Sequence, residues 1–133
     1  MKARAEIAHV PEPTLSAEDE AAFARGVAQF NEALYFECHD TLEDVWSGVR
    51  GESRDFFQGL IQVAVGFHHL ASGNRSGAAS LFERALRRLE RYPPRYAGLE
   101  VERLRATVRD WAAPLASGAN LPGGRPAPRI ERV

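Results

Sequence analysis

The sequence predicts an all-α, single-domain bundle of about five helices, with a buried third helix at its centre. Three observations lead there. Apolar residues recur every three to four positions through five segments that Gly, Pro, Ser or Asn separate. No segment alternates with period two over the length of a strand, so no sheet is expected. The connections between segments are short, which favours antiparallel neighbours.

Residues 1–15 are expected to be extended, with Pro11 and Pro13 blocking a helix. Ser16 can cap the first helix, and Glu18, Asp19 and Glu20 place favourable negative charge in its first turn. Phe23, Val27 and Phe30 carry that helix to about Asn31. A turn near Glu32–Leu34 leads to the second helix, about Tyr35 to Val49, and Gly48 and Gly51 end it. The third, about Arg54 to Ser72, has Ser53 as its candidate cap and stops at Ser72-Gly73-Asn74. The fourth turns Ala78, Leu81, Phe82, Ala85, Leu86 and Leu89 inward and ends before Pro93-Pro94. The fifth, about Glu100 to Ala113, carries Val101, Leu104, Val108 and Trp111. The bundle thus occupies 16–116. Residues 117–133 form a Pro/Gly/Arg-rich arm without periodicity, expected to be flexible or laid over a neighbour with Ile130 as its anchor.

The chain of 133 residues is 44% hydrophobic and 26% charged, the balance of one water-soluble domain. The longest apolar run, Gly59 to Ala71, holds Gln62, His68 and His69, and residues 1–13 have no apolar signal core. No membrane partner and a cytoplasmic location are therefore expected. The single Cys38 excludes an internal disulfide and any CxxC motif. The net charge of −1 is unevenly spread: residues 1–74 carry −7, residues 75–109 carry +5. Two complementary surfaces, packed within the domain or across a homo-oligomer, are the simpler reading of this split. Arg84, Arg87, Arg88 and Arg91 form one stripe on the fourth helix. Glu83 and Glu90 interrupt it and no aromatic residues interleave, which argues for a solvated face or a contact with the acidic half, and against nucleic acid.

The second and third helices carry polar groups where hydrocarbon would serve. At 100° per residue, Tyr35, Cys38, Leu42, Val45, Trp46 and Val49 share the inner arc of the second helix. His39 and Glu43 lie at its edge, Asp40 is intermediate, and Glu37, Thr41 and Asp44 face water. The third helix is apolar nearly all round except for Gln58, Gln62 and His69, with Arg54 and Asp55 at its start. Gly59 and Gly66 stack on another line, where a neighbouring helix can approach closely. A buried amide or imidazole without a partner costs a few kcal/mol. The expectation is that the amide line faces the polar edge of the second helix, with Glu43 opposite Gln58 to Gln62, and His39 opposite Gln62. His69 then lies on the order of 10 Å from Glu43 along the axis, nearer Tyr35 and Asn31.

Three readings of this arrangement stand. In the first, His39 and Glu43 pair, the glutamines satisfy them and Trp46 closes over a structural network. In the second, the same groups floor a small-molecule pocket. In the third, His39 and Glu43, four apart, hold a divalent metal with His69 as third ligand; no metal is favoured, and no cofactor is expected. Other templates fail. His39-Asp40 lacks the His and Asp that metal-dependent phosphohydrolases require, and helix three supplies no second acidic pair to match Asp40 and Glu43 as in helical nucleotide pyrophosphatases. There is no Gly-rich phosphate loop and no Ser elbow. Cys38 faces the apolar arc as a small core residue rather than a nucleophile.

The strings YFECHDTLEDVW, FFQGLIQVAVGFHHLASGN and GAASLFERALRRLERYP resemble the domain of unknown function 309 family, small all-helical prokaryotic proteins with relatives in plants. The resemblance covers about residues 23–105. It rests on Glu37, His39, Asp40, Glu43 and Trp46 in one motif and on Gln58, Gly59, Leu60, Ile61 and Gln62 in another, followed by His69 and Gly73-Asn74. Asp40 stands where Glu is common in the family. The resemblance implies a helical bundle and brings no activity. A slighter likeness, of Gly66, Ala78, Phe82 and Ala85 to one tetratricopeptide hairpin, implies antiparallel packing of helices three and four and hints at a peptide groove. The sequence-based expectation is a non-enzymatic module that binds a small molecule or peptide at a polar site between helices two and three. A metal-dependent, hydrolase-like enzyme using His39, Glu43 and His69 is the alternative.

Overall fold

Ser16 starts the first helix as the sequence implies: its hydroxyl accepts from the Asp19 N–H at 3.0 Å. The computed structural model describes residues 10–133, so most of the extended segment expected at 1–15 lies outside the described residues. Among these residues five α-helices follow one another: α1 (Ala17–Asn31), α2 (Tyr35–Gly48), α3 (Arg54–Ala71), α4 (Arg75–Leu89) and α5 (Val101–Ser117). A 3-10 turn, Gly51–Ser53, precedes α3. None of the helices is long and apolar enough to cross a membrane. The all-α bundle expected from the sequence is the observed fold.

Successive helices run antiparallel. A side chain added at Gly26 of α1 would meet Leu42 and Thr41 of α2, Arg54 of α3 lies on Trp46 of α2, and Gly59 and Gly66 of α3 meet Leu89 and Phe82 of α4. A Cβ at Gly66 would stand 2.6 Å from the Phe82 ring, so the absence of a side chain sets how closely α3 and α4 approach. α3 is central. Phe57 packs edge-on to Phe23 of α1, and Phe67 touches Phe30, Tyr35, Phe82 and Trp111 of four other helices. Ten of its residues are buried, as a helix apolar nearly all round requires.

Several expectations need correction here. The Ser53 side chain makes no capping hydrogen bond to α3. Thr41 is buried, because Gly26 lets α1 close over that side of α2. A small sheet also exists: β1 (Arg95–Tyr96) and β2 (Leu99–Glu100) pair antiparallel, too short for period two to show in the sequence. Their two-residue connection, Ala97-Gly98, has φ of 53° and 74°, the left-handed pair that matches the twist of a hairpin.

α5 runs past Pro114 rather than ending before it. Pro114 has no N–H to give the Asp110 carbonyl one turn back. Arg125 supplies the missing donor, 3.0 Å from Asp110 O, while its guanidinium rests on the Trp111 ring. The C-terminal arm therefore returns over its own domain. Ile130 is buried, and the Asn31 side chain both accepts from Ile130 N (2.7 Å) and donates to Ile130 O (3.0 Å). Beyond it, Glu100 N donates to Glu131 O and Val133 N to Gly98 O.

Candidate functional site

α2 gathers one cluster on a single face. His39 Nε2 lies 3.4 Å from Glu43 Oε2, the spacing that residues four apart on a helix give. His39 Nδ1 is buried, and Asp40 Oδ1 is 3.4 Å from it without the alignment of a hydrogen bond. Donor atoms of His39, Asp40 and Glu43 all lie within 4.8 Å of one another. Asp40 and Glu43 are exposed, and so is Glu37, which stands outside the cluster. Beside His39 the exposed Phe36 ring bridges to His68 of α3, with centroids 5.6 and 5.5 Å apart.

The amide line of α3 looks elsewhere. Gln62, 7% exposed, accepts from Arg88 Nε of α4 at 3.1 Å. Arg88 also pairs with Asp55, whose other oxygen takes Arg91 Nη1 at 3.0 Å. The acidic and basic stretches of the chain meet at this point, within the domain. The expectation that Gln62 answers His39 is thus corrected. Its physical cause is the glycine line, only about 60° round the helix from Gln62. It draws α4 so close that the long arginines of α4 reach back over the amides.

At the open end of this seam, α2, α3 and α4 enclose a groove of about 700 Å³, lined by Trp46, Arg54, Asp55, Gln58, Arg88 and Arg91 among others. Arg54 fixes one side. Its guanidinium lies 3.8 Å over the Trp46 ring and donates to Val49 O (2.9 Å) and to Trp46 O (3.3 Å), which also accepts the capping Val49 N–H at the end of α2. Trp46 therefore walls the groove, with Arg54 on its face. A second hollow of about 370 Å³, lined by Asp55, Arg84, Arg87 and Arg88, adjoins the first and shares the Asp55–Arg88 pair with it.

His69 joins neither group. Its Nδ1 lies 3.3 Å from the amide of Asn74, at the turn into α4. The three-ligand set of His39, Glu43 and His69 is not assembled; Asp40 stands third instead. Cys38 is fully buried in the core as expected, and burial pushes its thiol up to about 12. Sequence reasoning missed Arg88 and Arg91 as site residues. The signal available was the arginine stripe together with the charge split. Arg105 was missed too: 5% exposed, it donates to Leu89 O (2.6 Å) and Tyr92 O (3.0 Å) at the end of α4. It also holds the Glu102 carboxyl below its usual range by hydrogen bonding.

Residues 23–81 match the family described as Domain of unknown function (DUF309). An uncharacterized protein of Aquifex aeolicus (strain VF5) is 26% identical over 82 residues, 61% of this chain and 25% of that protein. The uncharacterized protein YpuF of Bacillus subtilis (strain 168) is 37% identical over 57 residues, 42% of this chain and 33% of that one. The chain thus spans a quarter to a third of the length of these relatives. The matched span holds Trp46, Arg54, Asp55, Gln58 and Gln62, while the arginine wall of α4 lies beyond it. Residues 23–81, from the middle of α1 into α4, belong to the DUF309 family, as the motifs of α2 and α3 imply.

Proposed function

We propose that this domain is a non-enzymatic binding module whose ligand, a small molecule or a short partner segment, sits in the groove between α2, α3 and α4. The observation that carries this reading is the groove itself: three helices converge on one concave polar surface bounded by an aromatic ring. Its lining of Arg, Asp, Gln, Glu and Trp recognises and orients; it offers no Ser, Thr or Cys nucleophile. The groups are also held in place. Arg54 is pinned by two carbonyls and a ring, Arg88 by Gln62 and Asp55. The test is a thermal-shift panel of neutral, cationic and anionic small molecules on the wild type, Gln58→Ala and Trp46→Leu. A ligand should raise the wild-type melting temperature and leave both variants unmoved. A panel in which nothing shifts the wild type, or in which the variants respond equally, would remove the groove from consideration.

A second reading is favoured by the buried Nδ1 of His39 and the two carboxylates beside it. One imidazole and two carboxylates form a donor set for a divalent cation, and a metal there would support the hydrolase-like alternative. Protein purified without a histidine tag should then carry stoichiometric zinc, manganese or iron that His39→Ala loses. Metal-free protein that folds unchanged in chelator speaks against it.

A further inference from the structure

The geometry points to a phosphate-type anion of two or more charges, inorganic or on a small organic ester, as the ligand of the groove between α2, α3 and α4 and its adjoining hollow, an inference that rests on the binding-module reading.

The charge balance comes first. The two adjoining hollows are together lined by five arginines (Arg54, Arg84, Arg87, Arg88, Arg91) and two carboxylates, Glu52 and Asp55. Glu83 reaches Arg87 only at 3.8 Å, from outside. Arginines thus outnumber carboxylates across these two neighbouring hollows of a chain whose net charge is −1. Asp55 engages Arg88 and Arg91 together, so it positions two guanidiniums side by side. Arg84 has no carboxylate within 4.0 Å among the described residues.

Shape decides between anions. A carboxylate offers two coplanar oxygens, which one guanidinium fork satisfies. A phosphate offers three or more oxygens and a second charge, and needs several donors from different directions. Arg84 and Arg88 stand one turn apart on α4, Arg91 follows just past its end, and Gln58 of α3 shares the first hollow with Arg88 and Arg91. The Trp46 edge gives an organic ester an apolar surface next to its phosphate. The groove is open but short, bordered by a few residues of α2, α3 and the end of α4, an extent that suits a small ligand.

The test is calorimetric titration of the full chain with pyrophosphate and with inorganic phosphate, in buffers matched in ionic strength with chloride. Pyrophosphate should bind the wild type, with Kd weakened roughly tenfold or more in Arg84→Gln and in Arg91→Gln. Arg25→Gln, an exposed change on α1, should bind like the wild type. Tighter binding of a phosphate monoester than of inorganic phosphate would identify the organic source; equal binding would identify the inorganic one. Arg88 is avoided because it also holds Gln62. Melting curves confirm that each variant is folded. The proposal is overturned by no heat at millimolar pyrophosphate, by equal weakening in Arg25→Gln, or by an oligonucleotide binding while pyrophosphate does not. A neutral or cationic ligand that needs Gln58 while pyrophosphate stays silent would overturn the anion and leave the binding module. Silence from every ligand would overturn both.

Discussion

Replacing Gln62 by leucine tests the contact that turns α3 toward α4. The side chain is 7% exposed and its Oε1 accepts from Arg88 Nε at 3.1 Å. A hydrogen bond to a charged donor is worth about 1.5–3 kcal/mol net. Leucine has nearly the same volume and returns part of this by removing a buried polar group. Arg88 retains Asp55, and with its side chain 38% exposed it can recruit water for Nε, so no donor is stranded. The expected loss is therefore about 1 kcal/mol, read as a lower urea midpoint with an unchanged slope. Arg88→Met should cost more, since it also abandons Asp55. In a double-mutant cycle the two changes should couple by about 0.5–1.5 kcal/mol. Additivity within about 0.3 kcal/mol, or a stabilised Gln62→Leu, would refute the claim that Arg88 answers this amide.

Other outcomes follow from the packing. Gly66→Ala should destabilise by about 1–3 kcal/mol because its Cβ meets the rigid Phe82 ring, and Gly59→Ala by less, since it meets a Leu89 methyl and gains helix propensity; equal urea midpoints would contradict this. Asn31→Ala removes both hydrogen bonds to Ile130 and should cost about 1–2 kcal/mol, with faster proteolysis between 117 and 129 as the check. Glu102 titrates below its unfolded value of 4.5, so its contribution is present above that pH and is lost as pH falls through the lower folded value. Acid unfolding followed by circular dichroism should thus be less steep below pH 4.5 in Glu102→Gln. The Cys38 thiol, raised from 9.0 to about 12, stabilises below pH 9 and loses that contribution as pH rises toward 12; at neutral pH an aromatic disulfide reagent should modify it only as fast as the domain opens.

The helices were legible because their signals are local. Ser16 and Asn74 cap where their side chains accept from Asp19 N and Gly77 N, and the apolar arc of α2 is the buried arc. The hairpin was not legible, since four residues around Ala97-Gly98 carry no period. The site was legible by half. Composition alone marks Gln58 and Gln62 as polar groups that need partners inside an apolar helix. A helical wheel gives their direction but not which neighbour stands there. The choice between α2 and α4 was made by Gly59 and Gly66, which admit α4, and by the reach of Arg88. The arm had a similar gap: Ile130 reads as an anchor, but its partner Asn31 lies 99 positions away.

The chain has two tryptophans, and only Trp46 lines the groove; Trp111 lies under Arg125 near the C-terminal arm. Their two indole N–H resonances, assigned with Trp111→Phe, report separately on the two places during a pyrophosphate titration. The Trp46 signal should move and saturate while the Trp111 signal stays still. Movement of Trp111 alone, or a Trp46 signal fixed throughout the titration, would contradict the placement of a ligand between α2, α3 and α4.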